Sequence, residues 1–361
     1  MKHILILTNG PGELWCWVRP LVPLLKKAGC RVTVKMLPCQ FATGEEHRVA
    51  SELGADEVVP PGDFLSTLHD LRHGSWDLVL QMGGDLIYGL RAAGRRIPIF
   101  CYAYGRKAFM SRTERFLTAW PQMVPEATDY VGDLVADAMK MDEGPTPWSH
   151  EKDHRLALFP GSRPSIREAS LEYLKEFRAH LDGRGLSIET LTVMSPFATD
   201  NEIGRWEQGG LNPVKTGAGV VLKEADLALT QPGTNTLELL YAGVPAIVAV
   251  PFPFLRRVPL SGIMGVLDRN FGGEGWLKEK FLRTASRKKG FIAWPNRIAG
   301  REIMQEIIGD VVPKDLAGVV SRLLADEKER NLRREELLEF SCDAGAAERV
   351  VALVLERLGI G

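Results

Sequence analysis

Two glycine-bearing turns carry the side chains best suited to hold a phosphorylated ligand. In the first, Pro160-Gly161-Ser162-Arg163 follows an apolar run and precedes a helical stretch. Gly161 lets the backbone turn tightly, Ser162 can cap the helix, and amides at a helix N-terminus attract phosphate. Arg163 adds a charged fork suited to a diphosphate. An ordinary strand-to-helix turn with a solvated arginine would have the same sequence. In the second turn, Gln231, Gly233, Thr234 and Thr236 stand between a strand and a helix, so amides and hydroxyls again face an anion. Glu238 lies about one helical turn beyond Thr234, and a carboxylate there can accept both hydroxyls of a ribose. The plainer alternative is a capped helix in which Glu238 favours the dipole of the first turn. Asn296 and Arg297, with Arg301 close behind, sit at a third loop-to-helix junction, which could equally be a helix start with surface arginines.

Two carboxylates are candidate bases. Asp85 ends Gly83-Gly84-Asp85 after a predicted strand, where an acid is well placed to take a proton. It could instead cap a helix. Glu13 ends Asn9-Gly10-Pro11-Gly12-Glu13 after the first strand and is either a base or an N-terminal helix charge. That turn lacks the full G-x-G-x-x-G spacing, so a dinucleotide fingerprint fails. The sequence also has no G-x-x-x-x-G-K-[ST] loop, H-E-x-x-H, G-x-S-x-G elbow or D-x-D clamp. These absences lead to the expectation of no metal site and no separate cofactor. A departing diphosphate would be stabilised by amides and arginine.

The elements that must position these turns follow from apolar runs. Strands are expected at residues 4–7, 31–37, 57–59, 78–81 and 97–102, with helical segments between them. The pattern restarts at residues 156–159 and continues with strands at 188–194, 227–229 and 246–250. Strands alternating with helices imply parallel sheets covered on both faces, an α/β fold. Residues 142–154, with two prolines, a glycine and many charges, read as a linker. The expected domains are 1–141 and 155–330, both Rossmann-like, and helices over 331–361. Two such halves would face a central cleft, with ligands at the carboxyl ends of the strands.

Bulk composition agrees with two ordinary domains in 361 residues. A net charge of −1 offers no whole-molecule field for nucleic acid. The five cysteines are odd in number and widely spaced, which fits reduced thiols in a cytoplasmic protein. No apolar run reaches the length of a membrane span. Two stretches, residues 95–115 and 256–289, nevertheless mix basic and apolar side chains. Arg95, Arg96, Arg106, Lys107, Arg112 and Arg115 accompany Phe100, Tyr102, Tyr104 and Phe109 in the first. Such stretches suit peripheral contact with the inner face of a membrane, or are solvated loops. The oligomeric state is not legible.

Taken in order, several segments resemble lipid-A-disaccharide synthases, members of the GT-B glycosyltransferases. They are Phe159-Pro160-Gly161-Ser162-Arg163, the run from Gln231 to Pro245, Trp294 to Arg301, Val131 to Met139, and Ala346-Ala347-Glu348-Arg349. The resemblance covers roughly residues 130–360. It implies a GT-B fold in which 1–141 is the acceptor domain and 155–330 the nucleotide-sugar domain, with C-terminal helices packing back across the cleft. It also implies an inverting, metal-independent transfer of an acylated glucosamine from a UDP-sugar donor to a lipid-linked sugar phosphate. In it Asp85 matches an acid important for activity, Arg163 an arginine near the diphosphate, and Gly233, Thr234, Glu238 and Asn296 hold the nucleotide. The first domain departs from the family at Asn9-Gly10-Pro11-Gly12-Glu13 and at Tyr102-Ala103-Tyr104-Gly105-Arg106. Donor use is therefore better supported than the acceptor. The rival readings are a UDP-sugar epimerase or hydrolase of the same fold, and a non-catalytic nucleotide-sugar-binding protein.

Overall fold

The apolar runs become the central strands of two parallel sheets. The computed structural model describes residues 1–39, 43–251 and 290–360. The chain divides into two units, Met1–Met141 together with Cys342–Gly361, and Asp142–Ser341. The basic, apolar stretch at residues 256–289 lies outside the described residues.

In the first unit the strands are β1 (His3–Thr8), β2 (Arg31–Met36), β3 (Glu57–Val59), β4 (Leu78–Met82), β5 (Ile99–Tyr102), β6 (Arg115–Thr118) and β7 (Asp129–Tyr130). They lie in the order β3-β2-β1-β4-β5-β6-β7, and neighbours run parallel. Ile4 to Leu7 on β1 and the whole of β4 are buried, as strands covered on both faces must be. In the second unit β8 (His154–Leu158), β9 (Ile188–Val193), β10 (Pro213–Val214), β11 (Leu227–Thr230), β12 (Ala246–Pro251) and β13 (Gln305–Gly309) form the order β10-β9-β8-β11-β12-β13, again parallel.

The two sheets share one topological property. Strand order reverses between β1 and β4 in the first unit and between β8 and β11 in the second. In open α/β sheets, the crevice at the carboxyl ends of such a strand pair is where ligands bind. Both glycine turns of the second unit leave β8 and β11, and both glycine turns of the first leave β1 and β4.

The helix Pro164–Asp182 shows how the core is closed. Ile166, Ser170, Leu174, Phe177 and Leu181 recur at helical spacing and are buried. Leu174, Phe177 and Leu181 pack in one cluster with Leu316, Val320 and Leu324 of the helix Pro313–Ala325. Tyr173 adds a hydrogen bond of 3.0 Å from its hydroxyl to the Val311 carbonyl.

Two expectations about the joints change. Residues 142–154 pack onto the second unit rather than standing apart as a linker. Asp142 accepts the Gly219 amide at 2.9 Å, and the buried Trp148 donates its Nε1 to the Val221 carbonyl at 2.9 Å. The C-terminal helices, expected as one group, are divided. Glu327–Leu338 belongs to the second unit and Ala346–Leu358 to the first. Asp137 anchors the latter by accepting the amides of Gly345 (2.6 Å), Ala346 (2.9 Å) and Ala347 (3.2 Å). Arg349 donates Nε to the Val131 carbonyl at 2.7 Å. The segments Val131 to Met139 and Ala346 to Arg349 are thus packed partners.

Candidate functional site

The second unit builds its crevice from the loops after β8 and β11. Gly161 has φ +97°, a conformation open to glycine at little cost. A Cβ there would meet Ile166 Cγ2 at 3.1 Å and Gln231 Oε1 at 3.4 Å. Pro164 occupies the first helical position and holds the preceding Arg163 extended, at φ −89° and ψ 133°. Arg163 is therefore the N-cap, without a side-chain cap bond. Ser162, expected to cap this helix, sits one residue too early, and its carbonyl is taken by Arg167. Gln231 joins the two loops. Its amide donates to the Pro160 carbonyl at 3.2 Å and to Ser170 Oγ at 3.0 Å.

On the second loop, Thr234 is the N-cap of the helix Asn235–Ala242. The Glu238 amide reaches the Thr234 carbonyl at 3.3 Å, which stacks the two residues one turn apart as their spacing demanded. Glu238 is buried and Thr234 half-buried. Thr236 was expected among the ligand contacts. It is fully buried, and its hydroxyl donates to the Gly233 carbonyl at 2.8 Å, so it shapes the turn instead. Asn235 completes the turn by donating to Thr230 Oγ1.

Asn296 also departs from expectation. It is 0% exposed, and both ends of its amide are spent within the fold. Its Nδ2 donates to the Met304 carbonyl (2.7 Å) and to Glu306 Oε1 (2.8 Å), and its Oδ1 accepts the amides of Ile303 and Met304 (2.8 Å each). An amide can make four hydrogen bonds, and all four are used, so no capacity is left for a nucleotide. Its neighbour Arg297 is exposed and lies over the Trp294 ring, 4.3 Å from the centroid.

In the first unit, the turns after β1 and β4 touch. Positive φ at Gly83 (+107°) and Gly84 (+68°) lets the chain pass close to its neighbours. A Cβ at Gly83 would meet Asn9 Oδ1 at 2.8 Å and Glu13 Cγ at 3.0 Å, and one at Gly10 would strike the Glu13 carboxylate. Glu13 is thus folded over Gly10 and against Gly83. Asn9 Oδ1 is buried with no hydrogen-bond partner among the described residues, an acceptor at the crevice that sequence reasoning missed. Asp85 is the N-cap of the helix Leu86–Ala93 but makes no side-chain cap bond, and it is exposed. Burial, and then the nearby Asp85 carboxylate, push the Tyr88 phenol above its ordinary value. Lys107 donates to the Gly84 carbonyl at 2.9 Å and braces this turn.

Behind Glu13 the helix widens into a π-turn over Leu14–Val18, a distortion found often at functional sites. Trp17 on that turn donates Nε1 to the Tyr104 hydroxyl at 3.0 Å, and Tyr104 donates to the fully buried Asp133 at 2.6 Å. Tyr102 also reaches Asp133, at 3.3 Å. These contacts explain why Tyr102 and Tyr104 are buried, and Phe100 is buried with them on β5. The aromatic residues of stretch 95–115 are mainly core, and Phe109 alone of the four is exposed. Arg106 and Arg115 are paired with Glu126 and Asp129.

Among the described residues, no group of three or more His, Cys, Asp or Glu side chains is gathered to hold a metal ion. No helix among them is long and apolar enough to cross a membrane. None of the five cysteines, all among the described residues, forms a disulfide, and burial pushes the Cys101 thiol up to about 12.

Two α/β units, whose parallel sheets have seven and six strands among the described residues, give this chain the GT-B fold. Solved structures bear this out. MurG of Acinetobacter baumannii superposes with a TM-score of 0.59 at 16% identity, over 99% of this chain and 100% of that one. The UDP complex of Staphylococcus aureus MnaA gives 0.63 at 16% identity, over 100% and 98%. In sequence, the chain is similar to lipid-A-disaccharide synthases. It is 25% identical to that of Enterobacter sp. over 249 residues, covering 62% of this chain and 57% of the relative. To that of Geobacter sulfurreducens it is 25% identical over 280 residues, covering 72% and 67%. The match to the Enterobacter protein thus spans little more than half of that protein's length. No protein-family model matches the chain.

Proposed function

We propose that this chain is an inverting, metal-independent glycosyltransferase that moves an acylated glucosamine from a UDP donor to a lipid-linked sugar phosphate. One observation carries the reading. In a chain similar to lipid-A-disaccharide synthases, both switch-point crevices are lined by glycine turns, one bearing Arg163 and the other Glu13 and Asp85. In the second unit, Arg163, the loop amides, Gly233 and Thr234 hold the diphosphate, and Glu238 takes the ribose hydroxyls. In the first unit, Asp85 or Glu13 accepts the proton of the attacking hydroxyl. The acceptor oxygen bonds to the anomeric carbon, the bond from that carbon to the UDP oxygen breaks, and UDP leaves with the electron pair. Its new charge meets the arginine and the amides. Asn9 Oδ1 accepts a hydroxyl of the acceptor.

Exposed Phe64, Leu65, Ile87 and Phe109 on the first unit support an acylated acceptor and peripheral contact with the inner face of the cytoplasmic membrane. Phe64 stands 5.9 Å, ring to ring, from Tyr88, in the helix that Asp85 opens.

Calorimetry with UDP tests the donor site. Arg163→Ala and Glu238→Ala should each weaken binding by about ten- to a hundredfold, the worth of a charge-assisted hydrogen bond. Turnover is then read with UDP-diacylglucosamine, with and without diacylglucosamine 1-phosphate. UDP release that needs the acceptor supports transfer. Sugar epimerised or hydrolysed without an acceptor replaces the transferase by an epimerase or hydrolase. Binding with no turnover of any donor leaves a nucleotide-sugar-binding protein.

A further inference from the structure

A charge sits where the helix Pro164–Asp182 should be apolar. Arg167 shares the inward face with Ile166, Ser170 and Leu174, and it is 0% exposed. Glu202, buried on the helix Asp200–Gln208, meets it through both oxygens, with Nε to Oε1 at 2.5 Å and Nη2 to Oε2 at 2.8 Å. The remaining nitrogen, Nη1, donates to the Ser162 carbonyl. Glu202 is itself held in place by Thr199, whose Oγ1 accepts its amide at 3.3 Å.

Stability is a weak reason for this pair. Two charges taken out of water lose solvation that their attraction barely returns, and apolar replacements of similar volume often fold as well or better. The third bond gives the pair another task. A trans peptide carries its N–H on the side opposite its carbonyl. Drawing Ser162 O inward to Arg167 therefore turns the Arg163 N–H outward, to the side away from the buried guanidinium. Gly161, at φ +97°, lets the chain enter this peptide in that orientation.

We propose that Arg167 and Glu202 are positioning residues for the nucleotide loop: they hold the 162–163 peptide so that its N–H, with the Arg163 side chain beyond it, faces the diphosphate. This rests on the donor site proposed above. It adds to that site a pair that never touches the ligand and acts only on its phosphates, leaving recognition of the uridine to the second loop.

The test compares UDP with uridine, by calorimetry for the first and ligand-observed NMR for the second, in the full chain. The variants are Arg167→Lys, Glu202→Gln and the apolar double replacement Arg167→Met/Glu202→Leu. The double variant removes both charges together, so it stays folded even where a single change leaves a buried charge alone. Thermal unfolding confirms the fold of each. The expected result is UDP affinity about tenfold lower or more, with uridine affinity within about twofold of the wild type. An unchanged ratio of UDP to uridine affinity in a folded variant overturns the role, and so does an equal loss of both. A wild-type chain that binds no UDP removes the donor site and this role with it. A wild-type chain that binds UDP beside variants of unchanged ratio removes the role alone.

Discussion

Replacing Asn296 by alanine separates a nucleotide contact from a structural knot. The substitution deletes four hydrogen bonds at a position with no solvent exposure. Three backbone groups lose their partner: the amides of Ile303 and Met304 and the carbonyl of Met304. Glu306 is less affected, because it still accepts the amides of Ile292 and Ala293 at 2.9 to 3.1 Å. At about 1–3 kcal/mol for each orphaned buried group, and allowing a water to enter the space left, the expected loss is about 3–5 kcal/mol. For a unit of this size, that lowers the midpoint of thermal unfolding by roughly 6–20 °C. Differential scanning calorimetry reads the shift, and UDP affinity measured below the transition should stay within about twofold of wild type. A variant with an unchanged midpoint that has lost UDP binding would refute the reasoning and return Asn296 to the ligand.

Gly161→Ala places a side chain at positive φ and 3.1 Å from Ile166 Cγ2, and should destabilise by about 1–3 kcal/mol in urea unfolding; an unchanged midpoint would mean the loop relaxes freely. Of Asp85→Asn and Glu13→Gln, the variant that removes the base should slow turnover by about 10²- to 10⁴-fold and leave UDP affinity unaltered. Wild-type rates in both would eliminate both acids. Asp137 predicts a pH effect with a definite sign. Burial lifts its carboxyl above the ordinary 3.8, outweighing the three amides it accepts. The folded chain therefore holds this proton more tightly than the unfolded chain, so the linked stability is full below 3.8 and is lost as pH rises through the raised value. Asp137→Asn should flatten that decline in a series of unfolding midpoints taken upward from pH 3.8, and an unchanged slope would dismiss the assignment.

The strands that could be read from sequence were those whose burial makes them continuously apolar. Residues 4–7 and 78–81 announce β1 and β4 because both faces are covered. β7 and β10 have two residues each, too short for any periodicity. β13 is half-buried over most of its length and opens on Gln305 and Glu306, so its composition is that of a loop. β6 shares only Arg115 with the basic stretch, and its four residues are too few to show a period, although Phe116 and Leu117 are buried. At the site, the glycine turns were legible because only a few residue types fit a tight turn. Which hydroxyls and amides face outward was not. Thr236 and Asn296 have the chemistry of ligand contacts, but their bonds go to carbonyls and amides brought near by the fold. Arg167 left a visible trace, a charge on the apolar face of its helix, whereas its partner Glu202 comes from another helix and has no fixed spacing to it.

The return of the helix Ala346–Leu358 to the first unit bears on the order of assembly during translation. Residues 342–360 are made after the whole of the second unit, which is contiguous in sequence. The second unit therefore has all of its chain before the first does, reversing the usual amino-to-carboxyl order of domain folding. Until that helix arrives, the Asp137 carboxylate and the Val131 carbonyl are without the amides and guanidinium that they bind in the finished protein. Synthesis thus delivers all the strands of the first unit well before the helix that clasps Asp137 and Val131.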